Sequence, residues 1–572
     1  TISGSDATSS TAADLNAINT LTTVAVNLTN VTALAASSLN DLNILQTAIN
    51  GNEFSNSSGF TTIAVSDTSV DATLLDTVIE RFDFINGLST TNMTLASGAT
   101  INVDANEVTS LLADETAGRL TINDQIITVN NPITVDQANS LAATTTGVVT
   151  ATILSTESIE ELGTLDAVGD NISIIIPDGS ATASQLLTLA QSTTALVDAS
   201  AVTKLASDNI DNIEKLLTAG NDITQFTSDS FSLLANVSVS DTTLDVSLLN
   251  EAIVQANLAT DATSTLFNIA DANTINGGTE IDFTKLLTNE TSNQVDISDQ
   301  NLTVDTGTLS VSNANLLDAT TSGIVTANIA TDSTVDSLAT LTGTGNAYTI
   351  VIGSGDATGS NASDLIAIDN ATTVAVDASS ITELTGSNTD IATLYASAGV
   401  SNLGDENITI TNDLIVADAN AIDLLTTGVV SASIASTVDV GTLGDLTGTN
   451  SYTYVLPGGT PLTVSDLNGI IDSISIDVDA SGVTSLTGDF NDVVGIYNSS
   501  KVNGLEDKDI NITSDLTVDE ANSLDLLTSG IVSGSIITTE RVAELVTLTG
   551  LNAYSIIIPS VDALSTTAAD LN

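Results

Sequence analysis

The chain spells one phrase four times: Ile133–Ile153 (ITVDQANSLAATTTGVVTATI), Leu309–Ile329 (LSVSNANLLDATTSGIVTANI), Leu414–Ile434 (LIVADANAIDLLTTGVVSASI) and Leu516–Ile536 (LTVDEANSLDLLTSGIVSGSI). Self-similarity of this kind constrains a fold more than any composition does, because each copy must bury its apolar face against a neighbour. Each copy predicts a short strand, a capped two-turn helix, a glycine stop and a second strand. Asp136, Ser312 and Asp519 stand where an N-cap oxygen would accept from free helix N–H groups, and Ala417 weakens the cap of the Leu414 copy. Ala138/Leu141, Ala314/Leu317, Ala419/Ile422 and Ala521/Leu524 fall three apart, on one helix face. Gly147, Gly323, Gly428 and Gly530 are expected to end the helices in a left-handed conformation. The β-branched runs behind them read as strands.

The glycines also mark the period. Gly147 and Gly323 lie 176 residues apart, Gly323 and Gly428 105, and Gly428 and Gly530 102. The runs at Ile172, Tyr348, Tyr452 and Tyr554 keep nearly the same spacing. The chain therefore divides into two long modules, 1–171 and 172–347, two short ones, 348–451 and 452–553, and the start of a fifth, 554–572. Most intervals between strand starts in the short modules are 21–25 residues, the size of one α/β solenoid turn. One interval per short module is longer, and DIATLYASAGVSNLGDE and DVVGIYNSSKVNGLEDK read there as insertions held by Tyr395 and Tyr497. Strand–helix–strand units of this length favour parallel pairing with right-handed crossovers. The expected fold is an α/β solenoid of stacked strand–short-helix coils with a parallel sheet; the alternative is a parallel β-helix.

Hydrophobic content of 42% supports a core, and the apolar residues are mostly Ala, Val, Ile and Leu, with 3% aromatics. The charge is lopsided: 71 acidic residues against 8 basic ones, a formal net of -63. Eight scattered cations form no phosphate-binding stripe, so nucleic acid and anionic membranes are poor partners. Salt or divalent cations would screen the self-repulsion, which fits seawater or a cation-rich cell exterior. No apolar run is long enough to span a bilayer. The chain opens at Thr1 without an initiator Met or a signal peptide. Thr1–Asn16 and Ile557–Asn572 share one phase of the repeat, so both ends read as cut from a longer array.

The absence of His and Cys removes most general-base, nucleophile and thiolate-metal chemistry. A carboxylate-only glycosidase remains conceivable, but acid pairs arise by chance among 71 acids and no Trp is present to stack on a sugar. No cofactor is expected, and calcium is the one candidate ion, since it takes oxygen ligands alone. Asp405 and Asp507, and Asp413 and Asp515, occupy matching places in successive modules; Asp67 and Asp241 recur likewise in the long ones. Asp477 and Asp479 open a stretch similar to half an EF-hand loop, but its twelfth position is Gly488. The competing reading makes these residues helix caps and turn formers. Asn139, Asn315, Asn420 and Asn522 recur in all four copies and are expected to satisfy loop backbone. Asn-x-Thr/Ser triplets at Asn27, Asn30, Asn92, Asn407 and Asn511 leave glycosylation open.

The phrases NAYTIVI, TTVAVDAS, SAGVSNLGDE and DANAIDLLTTGVV, clearest between Asn346 and Asp570, resemble tandem repeats of very large cell-surface proteins of marine cyanobacteria, including the giant swimming-associated type. The resemblance lies in repeat vocabulary and carries over no functional residue. It implies an exported, cell-surface or extracellular protein that is long and filamentous. The expected role is a non-enzymatic structural segment of a filament or surface layer, self-associating through end-on or lateral solenoid contacts. An adhesin or fibre arm that binds a glycan or another cell is the alternative.

Overall fold

The computed structural model describes residues 2, 6, 8–57, 60, 62–86, 91–221, 224–260, 265–271 and 273–560. The fifth module, 554–572, is thus described only to residue 560, and most of the closing phrase Ile557–Asn572 lies outside the described residues. The chain forms two compact units, Thr1–Thr306 with Thr320–Gly323, and Gly307–Ala319 with Ile324–Asn572. Each unit is an α/β solenoid of short parallel strands and short helices.

In the first unit, Val70, Ile101, Ile127 and Val149 pair in register from strand to strand and are all buried. The step from Val70 to Ile101 is 31 residues, longer than expected, because the intervening helix Ala72–Asn86 has 15 residues. The second long module builds the same way around Val246–Thr260, also 15 residues. In the second unit, Leu384, Ile408 and Val430 form one inward column, and Leu486, Ile510 and Val532 another. Thr385, Thr409 and Ser431 alternate with the first column and face outward, as the two-residue period of a strand requires. The helix pairs Ala138/Leu141, Ala314/Leu317, Ala419/Ile422 and Ala521/Leu524 are all at most 2% exposed. Burying one Leu or Ile this way contributes about 1.5–3 kcal/mol.

Two local expectations are corrected. The segments read as insertions are ordinary coils: DIATLYASAGVSNLGDE carries most of the helix Asn388–Ala396 and the strand Val400–Ser401, and its counterpart carries most of Phe490–Tyr497 and Val502–Asn503. The long interval was only apparent, because the strands Glu383–Gly386 (ELTG) and Ser485–Gly488 (SLTG) lack a β-branched run. Tyr497 accordingly donates its hydroxyl to Leu505 O, 2.9 Å away within its own coil.

Each copy of the phrase closes on itself. Ile133 bridges Ile153, Leu309 bridges Ile329, Leu414 bridges Ile434, and Leu516 pairs with Ile536. One copy spans one turn, its first and last residues meeting as neighbours on adjacent strands.

Candidate functional site

The recurrent side chains meet at the seams between coils. Thr145, Thr321, Thr426 and Thr528, each 7–8% exposed, donate their hydroxyls to the carbonyls of Gln125, Gln300, Glu406 and Lys508 in the preceding coil, at 2.6–2.7 Å. The same oxygens accept from the N–H of Gly147, Gly323, Gly428 and Gly530, at 2.9 Å each. The glycines are therefore required for a different reason than expected. Their φ angles are not positive. A Cβ at Gly147, Gly323, Gly428 or Gly530 would instead lie 2.3, 2.2, 2.3 or 2.5 Å from the carbonyl oxygen that the threonine holds. Thr193 and Thr372 form the same plug on Ile172 and Tyr348, with no glycine behind them.

Beside the plug, the side chains of the carbonyl-bearing residues differ. The buried Glu406 carboxylate accepts from Gly404 N at 2.8 Å and Asp405 N at 3.0 Å. Lys508, also buried, donates to Ser481 O of the preceding coil and pairs with Asp507, both at 2.6 Å. An acceptor and a donor occupy the same place because the loops they meet offer N–H groups in one case and a carbonyl in the other.

The four recurrent asparagines each clamp a backbone pair in the following coil. Asn139, Asn315, Asn420 and Asn522 donate to the carbonyls of Thr164, Thr340, Asp445 and Thr547 at 2.8–2.9 Å. They accept from the N–H of Asp166, Thr342, Thr447 and Thr549 at 2.7–2.9 Å. A primary amide is the one side chain that can copy both halves of a peptide pairing.

A third constellation sits in three copies. Asp318, Asp423 and Asp525 accept from Asn346, Asn450 and Asn552 at 2.8, 2.6 and 2.8 Å. Those asparagines in turn accept from Val325, Val430 and Val532 N. Tyr452 and Tyr554 donate to Ala419 O and Ala521 O at 3.2 Å. Burial, with the nearby aspartate adding, pushes both phenols up to about 12, so they stay neutral donors. In the remaining copy, Asp170 takes the asparagine's place against Val149 N, at 2.8 Å, and Ala142 stands where the aspartate would be. Two facing carboxylates are thereby avoided.

The helix caps lie two residues before the positions expected. Thr134 and Thr517 are the N-caps and form capping boxes with Gln137 and Glu520. Ser310 Oγ receives the N–H of Asn313 at 3.4 Å, and the weak cap of the third copy is Ile415. The helices begin earlier because Val135 and Val518 are their first residues and are buried. Asp136 and Asp519 occupy the first turn instead.

Acids at strand ends frequently cap the helix of the preceding coil. Asp67 and Asp241 accept from Leu39 N and Ile210 N, both at 2.6 Å, and Asp208 accepts from Ser184 N at 2.6 Å. Of the calcium candidates, Asp405, Asp413, Asp507 and Asp515 are exposed. Asp507 is drawn to Lys508, which holds its carboxyl below the usual range. Asp477 and Asp479 flank the inward Val478 on one strand, and Asp479 closes a turn by accepting from Ser481 N at 2.8 Å. Among the described residues no three acidic side chains come together so as to hold a metal ion. No described helix is long and apolar enough to cross a membrane. Compared with known proteins, the chain matches no protein-family model and no curated sequence.

Proposed function

We propose that this chain is a non-enzymatic structural segment of an extracellular filament or cell-surface layer. It self-associates through end-on or lateral contacts between solenoids. The observation that carries this reading is where the recurrent polar residues go. Threonine and asparagine at fixed places in the repeat bind backbone of an adjacent coil, in four copies each. A side chain retained in each module for joining turns suits a protein whose product is length. The net charge of -63 makes assembly depend on screening, and a medium rich in salt or divalent cations supplies it. Exposed carboxylates such as Asp405, Asp413 and Asp515 are available to such cations.

The test is sedimentation and negative-stain electron microscopy of the purified chain, at low salt, at seawater ionic strength, and with calcium. Fibres or sheets that appear as charge is screened support the proposal. A monodisperse monomer under all three conditions removes it, and retention on a polysaccharide by that monomer would favour the adhesin role instead.

A further inference from the structure

The two long modules contain the same helix pair built with different chemistry. Aligned through Leu75 and Leu249, and through Leu120 and Val295, Asp76, Asp83, Asp114 and Arg119 of the first fall on Asn250, Asn257, Asn289 and Gln294 of the second. The pairings correspond, with one contact, Arg119 to Asp114, added in the first module. In the second module, Asn289 donates to Asn250 Oδ1 at 2.9 Å, and Gln294 donates to Asn257 Oδ1 at 2.5 Å. In the first, Asp76 stands beside Asp114 in the place of Asn250, and Arg119 reaches Asp83 at 3.4 Å and Asp114 at 2.5 Å.

Amides satisfy each other at any pH, whereas two carboxyl groups within hydrogen-bond reach do so only when one carries a proton. Asp114 is 2% exposed, so little water reaches its carboxyl while the helices stay packed. Two carboxyls, Asp83 and Asp114, face the one Arg119 guanidinium, and Asp76 lies beside Asp114. Arg81, on the same helix as Asp76, is turned to Asn43 at 2.7 Å on the helix Leu39–Asn50. The charged side chain of that helix, Asp41, caps its own N-terminus with Ser38. On the helix Val135–Thr144, packed against the other side, the charged residue is Asp136, which is exposed.

We propose that a proton shared between Asp76 and Asp114 closes the seam between helices Ala72–Asn86 and Val108–Thr116, so that this pair loosens as pH rises while the amide-built pair does not. Burial, opposed by Arg119 and helped by Asp76 and Asp83, pushes the Asp114 carboxyl up to about 7 from its ordinary 3.8. A carboxyl raised in the packed state contributes stability that is whole below the ordinary value. That contribution falls as pH climbs and is gone above the raised value. The sensitive window is therefore about pH 4 to 7.

Hydrogen exchange of the whole chain at about pH 5 and about pH 8, corrected for intrinsic rates, tests this. Opening of 72–86 and 108–116 should rise about tenfold or more, with 246–260 and 280–291 unchanged. Asp114→Asn, which lets an amide donate to Asp76, should abolish the difference; Asp76→Asn should do the same if that variant folds better. The unmodified chain should also show a protonated-carboxyl infrared band at about pH 6 that disappears by about pH 8. Equal pH responses in the two helix pairs, a response that survives Asp114→Asn, or absence of the band would each overturn the proposal.

Discussion

Backbone approach, not backbone curvature, selects the glycine of the repeated phrase. Gly428 Cα faces Glu406 O so closely that a methyl group would sit 2.3 Å from it, and backbone on both sides cannot yield. Gly428→Ala should cost about 3 kcal/mol or more. Gly444→Ala, where a Cβ meets open space, should change stability by less than about 0.5 kcal/mol. Hydrogen exchange at Ile408 and Val430 reads the difference, and equal protection in the two variants would refute the steric account. Thr426→Val isolates the polar half of the same contact. It keeps the shape but strips the Glu406 carbonyl and the Gly428 N–H of their shared partner. A loss of about 1–3 kcal/mol is expected, measured the same way.

Whole coils, by comparison, are held by pairs that must change together. The Asp423–Asn450 contact at 2.6 Å and the Ala142/Asp170 arrangement are two solutions to one seam. Asn450→Asp would set a carboxyl against Asp423 and raise the pKa of the pair, so its stability cost should be absent at low pH and grow as pH rises past the ordinary carboxylate range. Adding Asp423→Ala reproduces the tolerated arrangement and should recover most of a loss of about 2 kcal/mol at neutral pH. Denaturation midpoints of the four members of this cycle, at acid and neutral pH, decide it; additive losses would mean the two sites do not communicate. At this scale the sequence was legible where apolar spacing or β-branching announced an element. The buried Ala/Leu pairs and the strands Asn407–Ile410 and Val430–Ile434 are such cases. ELTG and SLTG were not legible as strands, since their pairing comes from neighbours already in register. Partners from the next coil were equally hidden: Asp67 caps Leu39 across 28 residues, a distance that local pattern cannot bridge. The threonine plug could have been found from the recurring Thr-Thr/Ser dipeptide, which local propensity treats as ordinary turn chemistry.

For the molecule as a whole, the dominant long-range term is its own charge. A formal -63 spread over exposed carboxylates opposes compaction, and the opposition reaches roughly a Debye length of about 10 Å at 0.1 M salt. Few ion pairs relieve it, because the chain has only 8 cations and some, such as Lys508, are enclosed at a seam. Thermal unfolding should therefore move up steadily with sodium chloride, most steeply below about 0.1 M where screening changes fastest. Calcium chloride at matched ionic strength separates the two ways a cation can act. If it only screens, the two curves superimpose. If carboxylates such as Asp405, Asp413, Asp477 or Asp515 bind it, the calcium curve rises further and saturates, since site binding stabilises as the logarithm of free ion above its dissociation constant. A midpoint indifferent to either salt would mean that charge does not limit the folded state, and the dependence of assembly on screening would fall with it.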